Sequence, residues 1–414
     1  VYPTETNPIT IHLSSGDFSP ESGEVFPIIL LSNINIQGED QDGTILNANQ
    51  TNRVIFIPDQ DNVTISNLTI RGGLASMADD GFEGDGGAGI FSYLSNNLNL
   101  QNLTITENVA YDRGGGIFLS GYGPGGSGHI DENNCCPVLN NLTISNNIGS
   151  RGGGLSILNQ SPILTDVIIT ENHANEQTYS GVFRGRGGGI YNNESVAAYP
   201  AKFVNVIVAD NTSDKRAGGI YVRWFCTDFT NTTIANNISY DNNGGGLFLS
   251  YPKDCESNFI NTIIWGNSPS YIPYDGQQDK VSFEYSNIEG GWGGEGGEGN
   301  IEADPLFLDF GNEDYSLQQE SPCIDSGTAD VDGDGQIDIT DYSGSNPDMG
   351  ALEYDQGLNG DVNGDNLIDV RDIVNLIGII VGTTTNYDGD GDLNNDGDLD
   401  VSDVVLLVNL ILAI

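Results

Sequence analysis

Basic residues are scarce in this chain. Thirteen Lys and Arg stand against 59 Asp and Glu in 414 residues, a net charge of −46. Such a balance repels phosphate backbones, and it argues against nucleic acid and anionic membrane surfaces as partners. Only four of the basic residues are Lys, and none stands in a motif that would make it a lyase base. The three His (His12, His129, His173) are scattered, with no spacing that suggests a Ser-His-Asp arrangement. The five Cys show no zinc-site spacing. Long apolar runs are missing too. The most apolar stretch, Val404 to Ile414, has 11 residues, and a bilayer span needs about 20. The chain opens at Val1-Tyr-Pro with no leader-like segment, and it reads as a mature, processed secreted protein.

What the sequence has in abundance is glycine, 56 residues, and a repeat. Asn102-Leu-Thr-Ile-Thr-Glu-Asn108 is followed by Arg113-Gly-Gly-Gly-Ile-Phe118. Copies start at Asn67, Asn141, Asp166, Asn205, Asn231 and Asn261, with intervals of 35, 39, 25, 39, 26 and 30 residues. The shortest interval is about one turn of a parallel β-helix, and the excess is loop.

Within each copy the third residue after the start is aliphatic: Ile105, Ile144, Ile169, Val208, Ile234 and Ile264. Apolar residues two apart on a β-branched segment predict a short strand with one buried face. The sixth position is Asn in six copies (Asn108, Asn147, Asn172, Asn211, Asn237, Asn267). Stacked coils would place these amides one above another as an internal ladder. Phe91, Phe118, Tyr191, Tyr221 and Phe248 predict an aromatic stack.

Arg113, Arg151, Arg186 and Arg216 share one place before the glycines. They read first as charge balance against Glu107, Glu171 and Asp210, and second as a basic stripe for an acidic polysaccharide. Cys226 and Cys255 fall at similar places on adjacent copies, where a disulfide could join neighbouring coils. Cys135 and Cys136 lie in an insertion, and their pairing is left open. Asp79-Asp80, a carboxylate pair in a Gly-rich insertion, reads as solvated loop.

The organisation expected is capping coils over 1–66, regular coils over 67–300, last coils and a closing cap over 301–354, and a separate module over 361–414. That last module carries the sharpest chemistry. Asp361, Asn363, Asp365, Asp369 and Asp372 occupy positions 1, 3, 5, 9 and 12 of a loop. Asp392, Asn394, Asp396, Asp400 and Asp403 repeat the pattern 31 residues later. Backbone carbonyls of Leu367 and Asp398 add position 7. Hard oxygen donors at this spacing predict an EF-hand-like calcium site in each loop. An apolar helix follows each, Ile373–Val381 and Val404–Leu412. From Asp355 onward there are 12 Asp and one Arg, so without calcium this end repels itself. Asp330, Asp332, Asp334, Asp338 and Asp341 repeat the spacing in a third loop with no helix after it.

The duplicated loop-helix resembles a type I dockerin. That resemblance implies calcium as cofactor and a cohesin-like domain as partner, contacted through loop positions 10 and 11. Here those positions hold Val370-Arg371 and Val401-Ser402. The coils resemble the pectate-lyase-like right-handed parallel β-helix superfamily. Asp304-Pro-Leu-Phe, Ser321-Pro-Cys-Ile-Asp325 and Gly350-Ala-Leu-Glu-Tyr354 look like the C-terminal part of secreted bacterial β-helix surface proteins. The fold expected is therefore all-β, a right-handed parallel β-helix followed by a small α-helical dockerin-like module. The function expected is an extracellular structural or adhesive surface protein. Its calcium module would join a cohesin-like partner or a neighbouring copy, as in a filament. The rival expectation is a polysaccharide lyase or glycoside hydrolase carried to a cohesin scaffold. No catalytic motif supports that rival, since function must be argued from a site.

Overall fold

A computed structural model describes residues 2–76, 86–122, 136–176, 178–179, 182–193, 200–223, 227–250, 256–275, 280–292, 297–354, 360–363, 367–383, 391–394 and 399–413. The chain forms two compact units, Val1–Glu353 and Tyr354–Ile414.

The first unit is a parallel β-helix. Its main sheet runs from Ile9–Leu13 through Leu98–Thr106, Val138–Ser145, Ile163–Thr170, Ala201–Ala209 and Thr227–Ala235 to Ser257–Trp265 and Val281–Glu284. The repeat sets the register. Leu103, Leu142, Val167, Val206, Thr232 and Thr262 stack, as do Ile105, Ile144, Ile169, Val208, Ile234 and Ile264. The second column is buried throughout, and each buried aliphatic contributes roughly 1.5–3 kcal/mol. A sheet of two-residue strands and one of mostly four-residue strands complete each turn.

The residue that opens each copy is the one that bends the long strand. Asn67, Asn102, Asn141, Asp166, Asn205, Asn231 and Asn261 all have φ between 48° and 57°. Asn and Asp tolerate this left-handed region better than other side chains with a Cβ. Their amides form an outer ladder: Asn141 Nδ2 donates to Asn102 Oδ1 at 2.8 Å, and Asn261 Nδ2 to Asn231 Oδ1 at 2.9 Å. Sequence reading took these residues only as starting points. Their recurrence was the signal for the bend.

The inner ladder has the expected members. Each Nδ2 of Asn108, Asn147, Asn172, Asn211 and Asn237 donates to the next Oδ1 at 3.0 Å. The same oxygen also takes the backbone N–H of the preceding Asn, at 3.0–3.1 Å. These polar groups sit in the wall with their partners built in, as burial requires. The glycines of the triplet follow from the close approach of coils. A Cβ on Gly153 would lie 2.5 Å from the carbonyl oxygen of Gly188 and 2.6 Å from that of His173.

The predicted aromatic stack is present in two pieces, Phe56–Phe91–Phe118 and Tyr191–Tyr221–Phe248, with Ser156 and Leu158 between them in sequence. A further column inside the core, Phe203–Phe229–Phe259–Phe283, has centroids 4.4–4.8 Å apart and ends on Trp292. In earlier coils the same column holds Leu100, Leu139 and Leu164.

The segment expected to supply the last coils and a closing cap, 301–354, adds little to the coils. After the single parallel bridge Asn287↔Ile301 it folds back along the outer face of the main sheet. Asn261 takes the N–H of Thr328 at 2.8 Å, Gly350 N–H reaches Asn261 O at 2.8 Å, and Ala351 N–H reaches Thr233 Oγ1 at 3.0 Å. The reason is local: polar Asn and Thr on that outer face offer hydrogen bonds to a passing backbone. Within this segment Asp348 is fully buried, and its N–H donates to Glu353 Oε1 at 3.1 Å. Burial, and then the Asp348 charge, push the Glu353 carboxyl up to about 7. A carboxyl whose folded-state value lies above its unfolded value of about 4.3 stabilises most in acid. That contribution is lost as pH rises through 7. Glu353→Gln is therefore expected to raise the melting temperature clearly at pH 8 and much less at pH 5. Equal shifts at both pH values in a thermal melt would rule this out.

The second unit contains α1 (Val370–Ile380) and α2 (Val401–Ala413). They start three residues before the predicted spans because loop position 9 caps the first helix. Asp369 accepts from Arg371 N–H, and Asp372 returns the bond to the cap, a reciprocal pair that fixes the entry. Val362, Leu376 and Leu407 are buried together, with Leu393, Ile373 and Val404 packed against them.

Candidate metal centres and the charged columns

The third Asp-rich loop gathers three carboxylates. One ligand oxygen each from Asp330, Asp332 and Asp338 lies within 4.8 Å of the others. Backbone donors hold the loop in shape. Asp330 accepts from Gly333 and Gly335, both at 2.8 Å, and Asp338 accepts from Val331 at 2.8 Å. Gly335, at position 6, has φ +85°, a turn that glycine enters without strain. Asp334 and Asp341 do not join the group, and Asp334 instead accepts from Gln336 N–H at 2.8 Å.

Among the described residues, the two loops of the second unit share the bonds made to position 12. Position 12 is a fully buried carboxylate in both, Asp372 and Asp403. Asp372 accepts from Asn363 N–H at 3.1 Å and from Asp369 N–H at 2.8 Å. Asp403 accepts from Asn394 N–H at 3.4 Å and from Asp400 N–H at 2.9 Å. Asp361, Leu367 and Asp392 are described residues of the same loops, whereas Asp365, Asp396 and Asp398 lie outside the described residues. The donor set is all hard oxygen, and a carboxylate buried at position 12 suits a divalent cation of the calcium type.

The arginine column is real: Arg113, Arg151, Arg186 and Arg216 bridge one another in parallel register. Their charges are met differently from the expectation that Glu107, Glu171 and Asp210 balance them. Asp112 takes two of the four, Arg113 and Arg151, together with Arg184 from outside the column. Arg151 Nε donates to Asp112 Oδ1 at 2.8 Å and Arg151 Nη2 to Asp112 Oδ2, Arg184 Nη1 lies 2.6 Å from Oδ1, and Arg113 Nε lies 3.8 Å from Oδ2. The flat faces of the guanidinium groups cover rings: Arg113 on Phe118, Arg151 on Tyr191, Arg186 on Tyr221 and Arg216 on Phe248, at 5.0–5.9 Å. Each such contact contributes about 0.5–2 kcal/mol. Asp112 occurs once and not in every copy, so the repeat gave no signal for it.

Cys136 is disulfide-bonded, and since Cys323 is free and buried, the partner lies outside the described residues. Cys226 and Cys255 also lie outside them, as do Asp79, Asp80 and His129. His173 Nδ1 is 2.8 Å from Thr212 Oγ1, in the wall of the β-helix. An open hollow beside the strand Tyr274–Asp275, at the end of the sheet of mostly four-residue strands, is lined by Tyr271, Tyr274, Trp292 and Glu289. Its one carboxylate, Glu289, accepts from Gly266 N–H at 2.8 Å. Among the described residues, no helix is long and apolar enough to cross a membrane.

No protein-family model matches the chain. Among curated proteins it is similar to "Probable autotransporter YfaL" of Escherichia coli (strain K12), with 30% identity over 170 residues. These are 40% of this chain, and the match spans 13% of that protein's length. Among solved structures it is similar to pectate lyase Pel9A, with a TM-score of 0.45 and 12% identity over 83% of this chain and 88% of that one. It is also similar to a pectin methylesterase from Yersinia enterocolitica, with a TM-score of 0.31 and 13% identity over 56% and 75%. A pectin methylesterase in complex with hexasaccharide VII gives 0.37 and 11% identity over 71% and 84%.

Proposed function

We propose that this chain is an extracellular structural or adhesive protein, a β-helix rod that is joined to a partner through its C-terminal calcium module. The observation that carries the reading is a duplicated apolar stripe. On α1 the exposed face holds Val370, Val374, Ile377 and Val381; on α2, 31 residues on, Val401, Val405 and Leu412 are exposed at the same places. Steps of four, three and four residues keep each stripe on one helix face. Exposed aliphatic stripes of this kind mark an interaction surface. The occupant in this reading is a cohesin-like domain or a neighbouring copy, with an apolar face of its own. A neighbouring copy has a second feature to meet, because Ile9–Leu13 pairs on one side only and leaves Ile9 and Ile11 exposed. The disulfide at Cys136 and the autotransporter relative support an extracellular setting.

Calcium would be held by Asp361, Asn363, Asp365, Leu367, Asp369 and Asp372 in one loop. Asp392, Asn394, Asp396, Asp398, Asp400 and Asp403 would hold it in the other, and the cluster Asp330, Asp332 and Asp338 gives a third site. The ion supplies positive charge to a segment of 12 Asp and one Arg, and so couples folding of the helices to binding. The test is electron microscopy of the purified protein with calcium and then with a chelator, alongside circular dichroism. The expected result is polymers or partner-bound rods that separate on chelation, with loss of helical signal and an intact β-helix. Isolated rods in both conditions, with helical signal unchanged by chelation, would remove the calcium joint.

A further inference from the structure

Three aromatic rings and one carboxylate line the hollow beside the strand Tyr274–Asp275, which holds about 230 Å³. The rings are Tyr271, Tyr274 and Trp292, the carboxylate is Glu289, and the described lining has no Lys, Arg or His. Each group is fixed by a contact of its own. Trp292 packs on Phe283 at 4.6 Å, at the end of the core column of rings. Tyr274 lies in a strand that pairs with Leu249 and Ser250. The Tyr271 hydroxyl donates to Asn242 O at 2.7 Å, which steadies a ring that is 53% exposed. Tyr274 and Trp292 stand 6.5 Å apart with their planes at 80°, as adjoining walls. Glu289 Oε2 takes the Gly266 N–H at 2.8 Å, and among the described residues nothing donates to its Oε1. A second carboxylate stands at the rim, where Gly290 N–H donates to Glu302 Oε1 at 3.2 Å.

We propose that this hollow binds a small organic cation through a trimethylammonium group. The face of an aromatic ring carries negative potential, and a cation set against several such faces gains from each. A trimethylammonium group spreads its charge over methyl groups and donates no hydrogen bond, so it suits rings better than a metal ion or a plain ammonium does. Its charge is answered by Glu289, which no basic side chain neutralises among the described residues, and by Glu302 at the rim. The net charge of −46 draws cations toward the surface before they dock. Other ligand classes fit less well. An acidic sugar would meet two carboxylates and no base. A neutral sugar needs donors as well as acceptors. The Tyr271 hydroxyl is spent on Asn242 and Trp292 Nε1 is buried, so these two rings offer faces and not donors.

Isothermal titration calorimetry of the full chain with choline chloride, in calcium buffer, tests this. One site with a Kd of about 1 mM or below is expected. The uncharged carbon isostere of choline, dimethylbutanol, should bind at least about tenfold more weakly. Tyr271→Ala removes an exposed ring, and Glu289→Gln keeps an oxygen for the Gly266 N–H. Both should fold, as circular dichroism will show, and each should weaken choline binding about tenfold. No saturable binding of choline up to about 50 mM would overturn the proposal. So would equal binding of dimethylbutanol, or unaltered affinity in both variants. Saturable binding of glucose with none of choline would overturn it in favour of a sugar site. Co-sedimentation with phosphatidylcholine vesicles, competed by free choline, would support the proposal with a membrane as the source of the group. Choline binding without co-sedimentation would support it with a soluble source.

Discussion

Replacing Asn172 with leucine is expected to destabilise the β-helix by about 5 kcal/mol, because a volume-matched apolar side chain leaves several buried groups without partners. Asn172 Oδ1 receives the backbone N–H and the Nδ2 of Asn147, both at 3.0 Å. Its own Nδ2 donates to Asn211 Oδ1 at 3.0 Å, to Ile144 O at 2.8 Å and to Thr170 O at 2.9 Å. Asn147, Asn172 and Asn211 are fully buried, so water cannot take over. Asn211 Oδ1 keeps the backbone N–H of residue 172, which limits the loss. The remaining orphans, two donors on Asn147 and the carbonyl of Ile144, cost about 1–3 kcal/mol each. The control is Asn146→Gly. Asn146 is exposed, has φ +56°, and makes one surface bond to Glu171, so a change under about 0.5 kcal/mol is expected. Urea unfolding of both variants decides the matter. A loss under about 1 kcal/mol for Asn172→Leu would mean that the ladder is a by-product of coil stacking and not a support for it.

The ladder was readable in the sequence for the reason that makes it strong. A position that must meet its own kind on the next coil is written once per coil, and repetition is what a single sequence can display. Asn108, Asn147, Asn172, Asn211, Asn237 and Asn267 announced themselves in this way, as did the aliphatic column of Ile105. The duplication of the Asp-rich loops was legible for the same reason, and their repeated bonds at Asp372 and Asp403 follow the 31-residue offset. The features that escaped are single or non-local. Asp112 has no copy on other coils. The Phe203–Phe283 column replaces leucines without changing the apolar pattern. The fold-back of 301–353 depends on polar residues of an outer face, Thr233 and Asn261, that look like ordinary solvent-facing positions until another segment covers them. The hydrogen bond from the Tyr315 hydroxyl to Asp210 joins residues 105 apart and belongs to this last kind.

Asp112→Ala is expected to destabilise the β-helix at neutral pH by about 3–5 kcal/mol, the usual consequence of stranding buried charge. Three guanidinium groups, Arg113, Arg151 and Arg184, converge on this one carboxylate, whose side chain is 13% exposed. Ser150 Oγ adds a donor at 3.2 Å. Burial alone would push the Asp112 carboxyl up; the charge and hydrogen bond of Arg151, with Arg113 and Arg184, outweigh it and hold the group down at about 2. A carboxyl held below its unfolded value of about 3.9 stabilises fully above that value, and the contribution is lost as pH falls toward 2. The separation is worth about 2.6 kcal/mol at one pKa unit per 1.36 kcal/mol. The larger figure for the alanine variant includes the mutual repulsion of the three arginines once the carboxylate is gone. Asp112→Asn should fall between the two, since it keeps acceptor oxygen and loses the charge. Urea unfolding at pH 7 and at pH 2.5 separates the effects. The unaltered protein should lose stability between these conditions, and the gap to Asp112→Ala should narrow in acid. If the gap were the same at both pH values, the arginines would be held by the rings they cover, and the single carboxylate would be incidental to the column.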